Sequence, residues 1–354
     1  MGEVVLSKHE NKMNPAPIPY TKIVEAYGLR KCPKLVEQIT DESLDVRINA
    51  LSVLCDEFNN PYSIHGCVQA GAISVLADMI VDSDYTTRDK ASLALSIAAR
   101  DANGLTAILE FEVIPNILEG INDPTSKVRG QVYECLYQIT RTTDGILASV
   151  SAGVTVALVK IVLEEDDILQ PLILRSIYNI CKDHQGLLDA LTSGAVPTCI
   201  NLLSDPKNTQ EEVIVDAART LGFICFADEA KDEAIEAGAV PTLVELLKIQ
   251  TTVVRSATTL ALMAITSTDE GKRQMLPSGA VPMLIDLLRD SDRTVKANTL
   301  KIVSNTAVSP EARTLLRTDP DCMSILKEMA SDSCADKFLC KHAKAALAAV
   351  MWKA

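Results

Sequence analysis

Apolar residues recur along the chain at an interval of about 41 residues, a spacing typical of repeat arrays. Four segments align when the sequence is compared with itself: AGAISVLADMI, SGAVPTCINLL, AGAVPTLVELL and SGAVPMLIDLL. Their glycines and the equivalent residues give one register position in each of eight repeats: Arg30, Gly71, Glu112, Gly153, Gly194, Gly238, Gly279 and Pro320. The step from Gly194 to Gly238 is longer and predicts an extended loop near Asp205.

Two rows of apolar residues predict that each repeat contains a helix buried along one face. The first row lies five residues after the register positions: Leu35, Leu76, Ile117, Leu158, Cys199, Leu243, Leu284 and Ile325. The second row lies nine residues after them: Ile39, Ile80, Ile121, Val162, Leu203, Leu247, Leu288 and Met329. Residues four apart share one side of a helix, so the two rows form a single stripe. A similar stripe later in the fifth repeat predicts a further helix: Val213, Ala217, Leu221 and Ile224.

The residues around each stripe predict the turns. Glycine at the register position permits a sharp turn, proline recurs in the first turn of the following helix, and an acidic residue follows the stripe, where a loop caps the next helix. The unit of short helix, glycine turn, helix, acidic loop and helix resembles the armadillo repeat. HEAT repeats are the alternative, but they lack the short first helix that ends at glycine.

The armadillo resemblance implies an all-α fold, a right-handed superhelical solenoid of about eight three-helix repeats. We expect the solenoid to span residues 23–354 and its last repeat, which lacks the register glycine, to form a cap. Residues 1–22 contain the run NPAPIPY and show no helical period, so they are predicted to be an extended arm.

Composition and charge exclude several classes of function. The chain contains 34 Lys+Arg and 47 Asp+Glu. The resulting formal net charge of -13 repels nucleic acid. The chain has no apolar run long enough to span a membrane, and its first residues do not resemble a signal peptide. Ten cysteines without a C-x-x-C pair indicate reduced core residues, so we expect a cytoplasmic protein without membrane contact.

Residues that could carry out chemistry are sparse. The four histidines lie far apart, in different repeats or in the arm, and the sequence offers no catalytic constellation. Cys334, Cys340 and His342 are close in sequence, but their spacing is not a standard zinc motif and a fourth ligand is missing. We therefore expect no enzymatic activity, no cofactor and no metal ion.

The armadillo resemblance also suggests where a ligand would bind. Peptide-binding armadillo proteins carry a Trp, and an Asn four residues later, on successive third helices that line a concave groove. The Trp positions here hold other residues: Ser52, Leu93, Glu134, Arg175, Arg219, Leu260, Lys301 and His342. The Asn position is kept only at Asn179 and Asn305.

The replacement of the Trp row leaves two interpretations of the groove open. Arg175, Arg219 and Lys301, beside Asn179 and Asn305, form a basic surface for an acidic peptide segment, or their long side chains merely solvate the concave face. A second basic row lies near the amino ends of the third helices and is interpreted as structural, forming weak, exposed pairs with loop carboxylates of its own or the adjacent repeat: Arg47, Arg88, Arg129, Arg255 and Lys296.

The junction of arm and first repeat carries a more specific resemblance. The runs TKIVEAYGLRKCPKLVEQI and ALSVLCDEF resemble the radial spoke head 14 family of motile cilia and flagella. The residues that carry the match are Thr21, Lys22, Ala26, Tyr27, Gly28, Arg30, Leu35, Leu54, Cys55 and Asp56. The resemblance implies a non-catalytic scaffold subunit of the axonemal radial spoke, a cytoskeletal protein whose partners are other spoke subunits. The alternative is a soluble adaptor or transport receptor that binds peptide segments in its groove.

Overall fold

A computed structural model describes residues 28–205, 210–331 and 336–353. Every regular element within these ranges is a helix. The predicted arm lies outside them, as do residues 206–209 of the extended loop and Cys334 of the zinc alternative. The chain divides into two compact units, with the boundary between Asp123 and Pro124.

The first unit follows the predicted order of helices. Its described α-helices are α1 (Lys31–Ile39), α2 (Leu44–Glu57), α3 (Pro61–Gln69), α4 (Ala72–Asp78), α5 (Tyr85–Ala98), α6 (Ala102–Glu110) and α7 (Ile114–Glu119). Short 3-10 helices occupy Gly28–Arg30, Met79–Val81 and Gly120–Asn122. Helices α3, α4 and α5 are the first, second and third helices of one complete repeat.

The second unit continues the same three-helix alternation. Its described helices are α8 (Ser126–Ile139), α9 (Thr143–Ser151), α10 (Val154–Ile161), α11 (Gln170–Ile180), α12 (His184–Thr192), α13 (Ala195–Ser204), α14 (Glu211–Ile224), α15 (Asp228–Glu236), α16 (Ala239–Leu246), α17 (Thr252–Ile265), α18 (Asp269–Met275), α19 (Ala280–Leu287), α20 (Arg293–Thr306), α21 (Pro310–Thr318), α22 (Pro320–Ala330) and α23 (Lys337–Met351). Third helices are α8, α11, α14, α17, α20 and α23.

The register glycines form left-handed turns between first and second helices, as the sequence predicts. Five of them have φ between 71° and 88° and each is the residue before a second helix: Gly71, Gly153, Gly194, Gly238 and Gly279. A Cβ atom is disfavoured in this conformation, which explains the glycine. In the third repeat Glu112 adopts it nonetheless, with φ 51°.

The two apolar rows form the core of the helical stack. Their members are buried in every repeat except the last, where Ile325 and Met329 are half-buried. In that repeat the buried residues of the second helix are Cys322 and Leu326.

A second row of glycines, which the sequence reasoning missed, lies at the third residue of the first helices: Gly104, Gly145, Gly186 and Gly271. A Cβ at any of them would lie 1.9 to 2.4 Å from a carbonyl oxygen that ends the preceding third helix. The side chain of the residue before each of these helices accepts a hydrogen bond from the glycine N–H, as Asp183 does from Gly186. Ala230 and Ala312 occupy the equivalent position in α15 and α21, whose preceding residues, Ala227 and Ser309, make no side-chain cap.

Among the described residues, no single helix has both the length and the apolarity to cross a membrane, and three bent helix pairs satisfy those two criteria only when each pair is taken together.

Candidate functional site: the third-helix face

The predicted site residues lie on the third helices of the second unit, which pack in succession from α8 to α23. Arg175 and Asn179 lie on α11, Arg219 lies on α14, and Lys301 and Asn305 lie on α20. Helix α17 packs between α14 and α20 and carries Leu260 at the same register position. The five residues therefore form two clusters rather than one continuous basic surface.

The first cluster surrounds a cavity of about 270 Å³, here called the third-helix cavity. Helices α8, α11 and α14 contribute its walls: Tyr137, Arg175, Tyr178, Asn179, Asp216, Arg219 and Thr220. Three of the five predicted residues thus line one opening, together with two tyrosines and a buried carboxylate that the sequence did not indicate.

Arg175 joins two repeats through an ion pair. Its Nε lies 2.6 Å from Asp216 Oδ2, and its Nη2 lies 3.0 Å from Glu212 Oε2, both on α14. Burial raises the pKa of Asp216 above its ordinary value, and the charges of Arg175 and Arg219 offset only part of that effect. Much of the charge of Arg175 is therefore balanced within the protein, an arrangement that neither sequence interpretation included.

Arg219 is the more accessible cation of this cluster. Its side chain is 49% exposed, and its Nη1 lies 3.8 Å from Asp216 Oδ1, a long contact within the same helix. At this distance and exposure the ion pair is weak. The guanidinium donors of Arg219 can therefore bind a carboxylate of a partner without breaking a strong internal contact.

An aromatic cluster extends the cavity along the same face. The rings of Tyr178 and Phe223 meet edge to face, with centroids 5.2 Å apart, and Phe223 contacts Phe226 in the same way at 6.2 Å. Lys182 Nζ lies 4.8 Å from the Tyr178 ring centre and donates a 2.7 Å hydrogen bond to Asn179 Oδ1. Phe226 is 57% exposed, so the cluster offers an apolar anchor beside cations.

A repeated pair of residues could have revealed this cluster from the sequence. Tyr137 and Tyr178 are separated by one repeat, and each is followed four residues later by a cation, Arg141 or Lys182. The guanidinium of Arg141 lies 6.0 Å from the ring centre of Tyr137, so both copies place a cation beside a ring. These residues lie outside the Trp and Asn positions of the armadillo pattern, so that pattern alone does not indicate them.

The second cluster lies on α20 and is engaged mainly within the protein. Asn305 Nδ2 donates to Oγ1 of Thr266, the residue that follows α17, at 3.3 Å, which joins two repeats. Lys301 lies near His342 on α23, whose pKa is lowered first by burial and then by the charges of Lys301 and Lys341. Lys301 is half-buried and therefore offers a partner less surface than Arg219 does.

Comparisons with known proteins agree with this geometry. No family model matches the chain. It is 29% identical over 239 residues to radial spoke protein 14 of Chlamydomonas reinhardtii, a match that covers 64% of this chain and 61% of the relative. Among solved structures, an engineered protein has a TM-score of 0.81 at 25% identity and covers 91% of this chain and 78% of its own.

Designed armadillo repeat proteins decide the fold class. One has a TM-score of 0.60, and another, in complex with the peptide (KR)4, has a TM-score of 0.58. Both are 25% identical to this chain and cover 67% of it and 99% of their own length. This chain has the armadillo-repeat fold. The all-α solenoid prediction and the recognised resemblance to radial spoke 14 are both confirmed.

Three members of the second basic row, Arg88, Arg129 and Arg255, form ion pairs with carboxylates of the next repeat, whereas Arg47 donates to the carbonyl oxygens of Asp41 and Glu42. Arg88 Nε lies 2.6 Å from Asp123 Oδ2, and Arg255 Nε lies 2.6 Å from Asp290 Oδ2. Arg129 binds Glu165 through two nitrogens, at 2.7 and 2.6 Å. The three carboxylate side chains are only 2 to 4% exposed, so the expectation of exposed, weak pairs was wrong.

In the fourth repeat, Gln170 occupies the register position of this row in place of a cation. Its amide nitrogen donates to the carbonyl oxygens of Val162 and Glu165, each at 3.0 Å. Arg88 makes comparable bonds to the carbonyls of Asp82 and Ser83 in addition to its ion pair. Gln170 therefore retains the bonds to its own loop, and the arginines add the link to the next repeat.

Proposed function

We propose that this armadillo-repeat chain is a non-catalytic scaffold subunit of the radial spoke in the axoneme of motile cilia and flagella, where it holds other spoke proteins. The similarity to radial spoke protein 14 carries the proposal. In this proposal the solenoid spans residues 23–354, and the arm at residues 1–22 makes a further contact with other spoke proteins. Recovery of spoke subunits in fixed proportion with the tagged chain is the experiment that tests it.

The third-helix cavity is the proposed holding site for an acidic segment of a partner. Its accessible lining cation is Arg219, which has only a 3.8 Å contact to a carboxylate, and Arg141 and Lys182 lie beside the two tyrosines of its wall. Because the chain as a whole carries a net charge of -13, this basic face is a local exception that favours acidic ligands. The exposed Phe226 would pack against an apolar residue of the same segment.

Neutralising the accessible cations should weaken binding of an acidic segment. The probe is a short fluorescein-labelled peptide of Glu residues with one central Phe, followed by fluorescence anisotropy. Arg219→Gln with Lys182→Gln should raise Kd roughly tenfold, because two favourable charge contacts at the cavity are removed. The fold should persist, since neither side chain is fully buried.

A matched control removes two exposed cations from other surfaces of the same unit. Lys248 and Arg273 are 61% and 69% exposed and do not lie on third helices. Lys248→Gln with Arg273→Gln should change Kd by no more than about twofold. Equal weakening by both pairs would mean that net charge, and not the cavity, governs binding.

The second candidate function is a soluble adaptor or transport receptor that binds peptide segments transiently. The observation that favours it is the likeness to a designed armadillo protein in complex with the peptide (KR)4, combined with a cavity on the third helices. The cations of that cavity do not suit a basic peptide, which favours the scaffold over this alternative. Capture of soluble cargo in place of spoke subunits would reverse that order.

A further inference from the structure

A second cleft lies among first and second helices, away from the third-helix cavity. It occupies about 470 Å³ between α19 on one side and α21 and α22 on the other. Val281, Ile285 and Leu315 provide an apolar floor, and Leu315 is 50% exposed. Asp286, Asp319 and Asp321 stand around it, with Arg289 as the lining cation. We call it the terminal cleft.

The terminal cleft follows from the missing glycine of the last repeat. In the four preceding repeats a glycine with positive φ connects first and second helices. Here Asp319 is the connecting residue, with φ -76° and ψ 116°. It is both the C-cap of α21 and the N-cap of α22. Its Oδ1 accepts a 2.7 Å hydrogen bond from the Cys322 N–H. The extended linkage changes the turn and leaves Leu315 uncovered beside α19.

The charge of the cleft is negative. Three carboxylates surround it against one guanidinium, and that guanidinium already pairs with Asp321 at 3.0 Å. Both partners of this pair are more than half exposed, so it is weak and can be exchanged for another contact. Leu315 and Thr318 lie in the last turn of α21, whose carboxyl end adds partial negative charge.

We propose that the terminal cleft binds a basic segment of a partner protein in which a Lys or Arg neighbours an aliphatic residue. The aliphatic residue and the stem of the cation pack on Val281, Ile285 and Leu315. The charged group lies among Asp286, Asp319 and Asp321 and replaces the exposed contact of Arg289. The net charge of -13 attracts such a segment at long range.

The test uses the full chain and a fluorescein-labelled peptide of alternating Lys and Leu residues flanked by Gly. Asp286→Lys with Asp321→Lys should weaken binding by at least about tenfold, because the carboxylates that receive the cation become repulsive. Leu315→Ser should weaken it roughly threefold without any change of charge, since apolar contact is lost. All three residues are exposed, and circular dichroism should show unchanged helicity.

Asp232→Lys with Glu236→Lys is the matched control. Both residues are exposed on α15, and the change in net charge equals that of the cleft variant. It should alter the affinity by no more than about twofold. Equal loss in both double variants, equal binding of a Glu and Leu peptide, or failure of the parent chain to bind the basic peptide would each overturn the proposal.

Discussion

Leu284→Ala should lower the free energy of unfolding by about 2 to 5 kcal/mol, through lost burial and the cavity left behind. Leu284 lies in the first apolar row and is fully buried where α19 packs against α20. The same argument applies to Leu243 on α16. Denaturant unfolding monitored by circular dichroism measures the effect through the shift of the transition midpoint.

Leu147→Ala is the matched control for this substitution. It removes the same atoms from α9, in the same unit, but its side chain is half exposed. The expected change is within about 0.5 kcal/mol, since little burial is lost. If Leu284→Ala were as mild as Leu147→Ala, the register that places Leu284 in the core would be wrong.

Glu165→Ala should lower the free energy of unfolding by about 3 kcal/mol, the lower end for a broken buried ion pair, because Arg129 keeps some contact with solvent. Glu165 accepts two bonds from the Arg129 guanidinium and a 2.9 Å bond from the Tyr133 hydroxyl. Its removal breaks both bonds from Arg129 and takes away the acceptor of the buried Tyr133 hydroxyl. Glu164→Ala changes the exposed neighbouring carboxylate and should have little effect.

The effect of Glu165→Ala should depend on pH in a defined direction. Burial alone would raise the pKa of Glu165, but the bonds from Arg129, Asp166 N–H and Tyr133 outweigh it and hold the pKa below its ordinary value of 4.5. A carboxyl with a lowered pKa contributes its full stability above the ordinary value and loses it as the pH falls through the folded value. The difference in free energy of unfolding between the parent chain and the Glu165→Ala variant should therefore shrink below pH 4.5. A constant difference would mean that the ion pair does not stabilise the stack.

The repeat and its turns are predictable from the sequence because they depend on local pattern. Gly153 and Leu158 recur at a fixed interval, and each reports a backbone conformation or a buried face that neighbouring residues determine. The contacts between third helices, in contrast, could not be predicted from the sequence. Arg175 pairs with Asp216, a residue of the next repeat that no periodicity connects to it, and only the packing of α11 on α14 brings the two together.

The terminal cleft is a second feature that the sequence predicts only in part. The sequence shows that Pro320 replaces the register glycine, and from this it predicts a cap. It does not show that Asp319 then serves both helices, or that Leu315 is left beside Ile285 as a result. The exposure of Leu315 thus depends on how α21 and α22 pack beside α19, and the absence of the register glycine does not reveal that packing.

Affinity capture of the tagged chain from salt-extracted axonemes of ciliated cells, with partners identified by mass spectrometry, tests the central claim most directly. The scaffold proposal predicts that radial spoke subunits co-purify in fixed proportion to the chain, because a structural subunit occupies a defined place in its assembly. Recovery of soluble cargo or transport factors without spoke subunits would contradict it and support the adaptor.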